Sequence, residues 1–264
     1  MQHSSFELAE ITQMAAPDSS DEVLKLLAEQ LPRAAELANV PQSGFRVGAA
    51  ALGESGRVYL GANQEFKGLP LNFTIHAEQC AVVNALLHGE KHIEVLAVSS
   101  PPCGYCRQFL SELSCTEIKI TIGTRAFTLS DLLPEAFSLE NCGDNMLSRA
   151  PQMQSAQQCS DPGEMARLMA LASYSPYTGT LSGMAIVCSS GKAYGGCLLE
   201  SSAYNPSLTS FQTAMISRAL CRDESKVKAV YVCEKGPTSI EIMLPLVLPK
   251  AVPSTMIHIY RVVP

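Results

Sequence analysis

Residues 47–65 read VGAAALGESGRVYLGANQE. The pattern is extended from Phe45 to Leu52 and again from Arg57 to Glu65, and Gly53-Glu54-Ser55-Gly56 between the two runs has the composition of a hairpin turn. Two adjacent strands are therefore expected. Toward the C-terminus a helix-like stretch at 76–88, an apolar run at 93–99, a second helix-like stretch at 103–113 and a β-rich run at 117–122 follow in alternation. This βαβαβ order implies a sheet covered by helices. Toward the N-terminus, DEVLKLLAEQLPRAAELA at 21–38 has apolar residues at helical spacing, with Asp21 as its cap and Pro32 expected to break or restart the helix.

Between 138 and 160, SLENCGDNMLSRAPQMQSAQQCS is rich in Ser, Gln, Asn and Gly and has little periodicity, which marks a linker. Beyond it the first pattern returns. Residues 182–200, SGMAIVCSSGKAYGGCLLE, align with 47–65 at a shift of 135: Gly48 meets Gly183, Ala50 meets Ala185, Gly56 meets Gly191, Tyr59 meets Tyr194, Gly61 meets Gly196 and Glu65 meets Glu200. HAEQCAVVNAL at 76–86 aligns with SFQTAMISRAL at 210–220 at a shift of 134. An internal duplication is the simplest account, the alternative being chance convergence of Gly-rich hairpins. The chain thus divides into a helical lead-in at 1–40, a first domain at 41–137, the linker at 138–160 and a second repeat at 161–264.

At 264 residues the chain can form one large or two medium domains with a substantial core. Its composition, 47% hydrophobic and 17% charged with no apolar run long enough to span a bilayer, reads as soluble with no membrane partner. The opening MQHSSFELAE lacks the basic start and apolar stretch of a secretory signal, so a cytoplasmic location is expected. The ten cysteines are scattered without a framework and fit reduced thiols, most of them filling the core. A net charge of −6 and the lack of any Lys/Arg block argue against a long nucleic acid as partner.

Two short segments concentrate reactive side chains, TIHAEQCAVV at 74–83 and SSPPCGYCRQFL at 99–110. Cys103 and Cys106 have the spacing that lets two thiolates reach one ion from a single turn. Redox pairs share that spacing, but they belong to a different βαβ context and leave the upstream His76 unexplained. His76, Cys103 and Cys106 make three protein ligands, the number expected of a catalytic zinc with an open fourth position, whereas structural sites usually have four. Backbone N–H groups and the dipole at the start of 103–113 favour thiolates there, and Pro101 and Pro102 stiffen the approach. Glu78, two residues after His76, takes a different direction on a helix and is better placed beside the metal than on it. Zinc lowers the pKa of a water it binds toward about 7, and a nearby carboxylate can pass that proton to a ring nitrogen and then to a leaving amine.

Taken in order, FRVGAAALGESG, GANQEF, HAEQCA and PCGYCRQFL resemble the zinc-dependent nucleobase and nucleoside deaminases. Within them the best match is the nucleoside cytidine deaminases in their longer, two-repeat homodimeric form, strongly over 45–137 and loosely elsewhere. The resemblance implies a three-layer α/β/α cytidine deaminase-like fold, a mixed sheet flanked by helices, present as two tandem repeats. It implies one Zn2+ per chain on His76, Cys103 and Cys106, with Glu78 as proton carrier, and hydrolytic deamination of the free nucleoside cytidine, with deoxycytidine accepted as well, in pyrimidine salvage. It assigns Asn63 and Glu65 to the ribose hydroxyls, Phe45 to packing on the pyrimidine, and Ala77 to substrate contact, with a homodimer as the assembly. Asn63 and Glu65, two apart on a strand, would face one way. The alternatives are that Glu65 is a solvated strand end and that Phe45 belongs to the core.

Two departures from the shorter relatives matter. They carry a third Cys where this chain has His76 and an Arg where it has Gln79; two thiolates and a neutral imidazole leave the zinc site uncharged, so no cation is needed at 79. In the second repeat Ser210 and Gln212 stand at the places of His76 and Glu78, with no Cys-x-x-Cys near Cys233. That half is expected to hold no metal and to act as a scaffold, keeping ESSAYNPSL at 200–208 as a relic and lending a wall to the partner's site. Two other functions compete. A polynucleotide deaminase would need a basic groove and stacking aromatics, and a non-catalytic zinc-stabilised interaction module would leave Glu78 without a role.

Overall fold

The computed structural model describes residues 12–13, 20–113, 118–139, 145–252 and 258–263. The first repeat runs β1 (Thr12–Gln13), α1 (Ser20–Glu36), β2 (Gly48–Gly53), β3 (Arg57–Ala62), α2 (Ala77–Leu87), β4 (Ile93–Val98), α3 (Gly104–Leu110), β5 (Lys119–Ile122), β6 (Arg125–Thr128) and α4 (Leu129–Leu132). The sheet order is β1-β3-β2-β4-β5-β6, antiparallel except for the β4–β5 pair. That parallel pair needs a crossover, and α3 supplies it.

Strand β2 is buried along its whole length because both of its faces are covered. Ala49 and Ala51 join the cluster that contains the apolar side of α2, while Ala50 and Leu52 meet Leu27, Leu31 and Ala34 of α1. Side chains alternating across a strand place them so. From residue 20 onward the expected lead-in is therefore an outer layer of the α/β/α sandwich. Pro32 does not break it: α1 runs unbroken through Pro32, whose ring lies on the exposed face. There the carbonyl left without its helical donor can be hydrated. The helix starts at Ser20, so Asp21 sits in the first turn, where its charge suits the dipole, and does not cap.

The second repeat comprises α5 (Ala150–Gln157), α6 (Pro162–Leu171), β7 (Leu181–Cys188), β8 (Ala193–Cys197), α7 (Ser210–Leu220), β9 (Val227–Lys235), α8 (Leu244–Ala251) and β10 (His258–Val262). Its sheet, β10-β9-β7-β8, repeats the connectivity β5-β4-β2-β3: β7 is antiparallel to β8 and β9, and β9 is parallel to β10. Pairing register repeats as well. Gly48 pairs with Ala62 and Gly183 with Cys197, and both central strands slip register at one place, after Leu52 and after Val187. Gly48 and Gly183 are pressed against equivalent backbone atoms of α1 and α6, at residues 31 and 35 and at residues 166 and 170.

The duplication corrects one alignment. Helices α2 and α7 are both eleven residues long, with His76 and Thr209 as N-caps and Gln79 and Gln212 at the third helical position. The shift across this helix is 133, not 134, because the loop before it is two residues shorter in the second repeat than in the first. Thr209 thus takes the place of His76 and the fully buried Phe211 that of Glu78, while Ser210 and Gln212 match Ala77 and Gln79.

Where composition suggested a linker, residues Met146–Arg149 and Ala150–Gln157 are helical. Met146, Leu147, Ala150, Met153 and Ala156 are buried, so the few apolar residues of these two helical stretches are the ones that pack. Helix α5 lies against α2 and α6, and the repeats also meet along α2 and α7. Among the described residues no helix is long and apolar enough to cross a membrane.

Candidate active site

The starts of α2 and α3 converge. His76 is the N-cap of α2, Cys103 is the N-cap of α3, and Cys106 lies in the first turn of α3. His76 Nδ1 is 3.4 Å from Cys103 Sγ and 3.3 Å from Cys106 Sγ, and the two sulfurs are 3.7 Å apart. A tetrahedral zinc with ordinary Zn–S and Zn–N bonds would set its ligands about 3.7 Å apart for sulfur–sulfur and about 3.6 Å for nitrogen–sulfur. The triangle therefore has the size of a zinc site. These are the residues that, among those described, could hold a metal ion together, and Glu78 is not among the ligand atoms.

The electrostatics agree with that donor set. A hydrogen bond with Cys103 raises the His76 pKa against the burial that would lower it. Contacts with the Cys106 sulfur and with His76 bring Cys103 down to about 3, and the Cys103 contact, burial and Glu78 push Cys106 up. These opposite shifts favour a proton on Cys106 beside a Cys103 thiolate. A divalent ion in its place allows both sulfurs to be thiolates, which is how zinc-bound cysteine exists. Two thiolates and an imidazole are also the softer donors that favour zinc over magnesium or calcium.

Glu78 is 4% exposed, and its carboxyl lies near enough to His76 and the cysteines to feel their charge without joining the ligand triangle. Burial is the main reason its pKa is raised, with its own backbone N–H and the His76 charge pulling the other way. Ala77 between the two is 1% exposed, its methyl packed inside at the start of α2.

Strand β3 ends at Ala62, so Asn63 and Glu65 lie just past it rather than on it. Both still reach the same loop. Asn63 accepts from the Val47 N–H at 2.9 Å and donates to the Phe45 carbonyl at 2.9 Å, using both ends of its amide. Glu65 Oε2 accepts from the backbone of Gln42 and Ser43 at 2.8 and 3.1 Å, and Oε1 accepts from the Ser43 hydroxyl at 2.5 Å. Burial works against the carboxylate, but these bonds, led by the Ser43 hydroxyl, hold its pKa below the usual value. At 7% exposed, Glu65 is no solvated strand end, and at 60% exposed, Phe45 is not core.

Glu200 repeats the arrangement, accepting from the backbone of Tyr177 and Thr178 and from the Thr178 hydroxyl. The loop cap is thus an inherited feature of both halves, and among the described residues only the first half pairs it with a group that could hold a metal. Gln79 is a site residue that the motif reading passed over: its Oε1 accepts from the His76 N–H at 3.1 Å. A Gln three residues after a helix N-cap is the signal that marks it.

Residues 21–122 and 124–242 each match the family described as the cytidine and deoxycytidylate deaminase zinc-binding region. Proteins named cytidine deaminase from Yersinia pseudotuberculosis and Photorhabdus laumondii are each 43% identical over 190 residues, which is 70% of this chain and 65% of theirs. The match therefore spans slightly less than two thirds of those relatives' own length. A crystal structure of cytidine deaminase from Mycobacterium tuberculosis is 39% identical and covers 44% of this chain and 97% of its own, with a TM-score of 0.41. With a match in each half and the metal-ligand triangle in the first, this chain belongs to the cytidine and deoxycytidylate deaminase family.

Proposed function

We propose that the chain is a zinc-dependent hydrolase that converts cytidine, and deoxycytidine as well, to the uracil nucleoside and ammonia, in pyrimidine salvage. The observation that carries the reading is the His76–Cys103–Cys106 triangle of zinc dimensions with a buried carboxyl against it. Zinc, when bound there, supplies the Lewis acidity that brings the pKa of a water toward about 7. Glu78 takes one proton from the water that attacks C4 and gives it to ring nitrogen N3 of the cytosine, then takes the second from the new C4 hydroxyl and delivers it to the amine, so that the C4–N bond breaks, ammonia leaves and the C4 carbonyl forms. Its raised pKa suits this, because a carboxyl that keeps its proton nearer to working pH donates as well as accepts. Asn63 and Glu65 face the ribose, and the exposed Phe45 ring meets the pyrimidine face. Hydrogen bonds to the 42–47 loop hold these residues in place before substrate arrives.

In the same reading residues 41–137 carry the chemistry, 161–264 form the metal-free repeat, and the assembly is a cytoplasmic homodimer. The protein acts on free nucleosides and not on polynucleotides, in keeping with its net charge of −6. Incubation with cytidine, deoxycytidine, cytosine and adenosine, with and without a chelator, tests it. Ultraviolet absorbance should change for the first two only and stop when zinc is removed. An unchanged cytidine spectrum with zinc-loaded protein would leave a metal-stabilised interaction module in its place.

A further inference from the structure

Among the described residues the second repeat offers no group that could hold a metal, yet its 201–207 loop touches both helices that carry His76, Cys103 and Cys106. Gln79 is 5% exposed. While its Oε1 holds the His76 N–H, its Nε2 donates to the Pro206 carbonyl at 3.0 Å. On the α3 side, Gln108 Nε2 donates to Ser202 Oγ at 3.3 Å, and the Ser202 N–H donates to Glu112 Oε1 at 2.7 Å. Glu112, just past α3, is 4% exposed, and its other oxygen accepts from the hydroxyls of Tyr174 and Tyr177 at 3.1 and 2.7 Å. All three of these donors come from the second repeat. A buried carboxylate is tolerated only when hydrogen-bonded, so this cluster fixes where the end of α3 can sit. Through one loop, the start of α2 and the body of α3 are tied to a common support.

The duplication supplies a comparison within the same molecule. Gln212, equivalent to Gln79, accepts from the Thr209 N–H at 3.0 Å and donates to the Phe73 carbonyl at 3.3 Å. The two bonds are mirror images across the boundary between repeats. Their consequences differ, because Gln79 holds a metal ligand and Gln212 holds a threonine.

We propose that the second repeat is a brace for the metal centre, with Gln79 and Glu112 as positioning residues that keep His76 at its distance from Cys103 and Cys106. The proposal rests on the zinc site described above. Three protein ligands come from two separate helices, so the spacing of α2 and α3 sets the ligand triangle, and among the described residues no fourth protein ligand stiffens it. Residues that orient ligands from behind typically change metal affinity about 10- to 100-fold when removed.

The test uses the zinc-loaded full chain, zinc release into excess chelator, and thermal melting in parallel. Gln79→Ala and Glu112→Gln should release zinc about tenfold faster or more. Gln212→Ala should melt lower, as Gln79→Ala does, yet release zinc at the wild-type rate. If Glu112→Gln does not fold, Tyr177→Phe removes one of its donors and should speed release in the same direction. Wild-type release from Gln79→Ala and Tyr177→Phe would overturn the brace. So would Gln212→Ala releasing zinc as fast as Gln79→Ala, since the effect would then be one of general packing. A wild-type protein that takes up no zinc would overturn the metal site itself, and the brace with it.

Discussion

A Cβ added to Gly61 on β3 would lie 2.2 Å from the Ala81 nitrogen, 2.5 Å from the Ala77 carbonyl oxygen and 2.7 Å from the Ala81 Cα. All three are backbone atoms of α2, so no side chain can turn aside. Relaxing these distances toward ordinary contact, about 3.5 Å, requires α2 to move outward by roughly 1 Å. His76 and Glu78 travel with it while Cys103 and Cys106 stay on α3, and the nitrogen–sulfur separations of 3.3 and 3.4 Å open beyond what zinc spans. A misplacement of about 1 Å in reacting groups costs on the order of 100-fold in rate, and overpacking about 1–3 kcal/mol in stability. Gly61→Ala should therefore lose about two orders of magnitude in kcat/KM for cytidine and part of its zinc, and melt roughly 2–12 °C lower. Gly196→Ala is the matched control. Its Cβ would lie 2.1 Å from the Ala214 nitrogen and 2.6 Å from the Ser210 oxygen, displacing α7, which carries no ligand. It should show the melting loss without a comparable loss of activity. A folded Gly61→Ala protein with near wild-type turnover and zinc content would refute the reasoning.

Glu78→Gln should keep zinc and nucleoside binding and lose turnover by about 10²–10⁴-fold, while Cys103→Ala should lose zinc, both measurable by metal analysis and absorbance. Glu65→Ala frees the 42–45 loop and should raise KM for cytidine about tenfold, whereas Glu200→Ala breaks the equivalent loop cap and should lower the melting temperature with KM unchanged. Burial opposes the Asp223 carboxylate, but hydrogen bonds from Ser190, Ser225 and Tyr194 outweigh it and hold its pKa well below the usual aspartate value. Its contribution to stability is complete above the unfolded pKa near 4 and disappears as pH falls through the folded value. Asp223→Asn should therefore melt lower than wild type at pH 7, and the gap should close as the pH drops below about 4.

Much of the first repeat was legible without coordinates. The hairpin, the helices that open at His76 and Cys103, and the strands between them are set by near-neighbour rules: alternation, turn glycines and residues that favour helix starts. The Cys-x-x-Cys spacing likewise confines two sulfurs to one turn, so their closeness needed no tertiary information. Because the same local signals recur 135 residues later, the duplication could be read as well. What could not be read depends on burial by distant partners. Composition assigned 138–160 to a linker, yet Met146, Leu147 and Met153 find apolar surfaces that make residues 146–157 helical. Pro32 stays inside α1 because packing on the sheet holds the helix while its exposed face tolerates the missing bond. The one-residue slip between α2 and α7 arose because loop length leaves no mark on periodicity, and only the packing of each helix on its strand resolved it. The three residues able to hold a metal and the carboxyl beside them were legible in the sequence, while the hold of Gln79 and Glu112 on the second repeat emerged only from folding, since residues some 127 and 90 positions apart share no local signal.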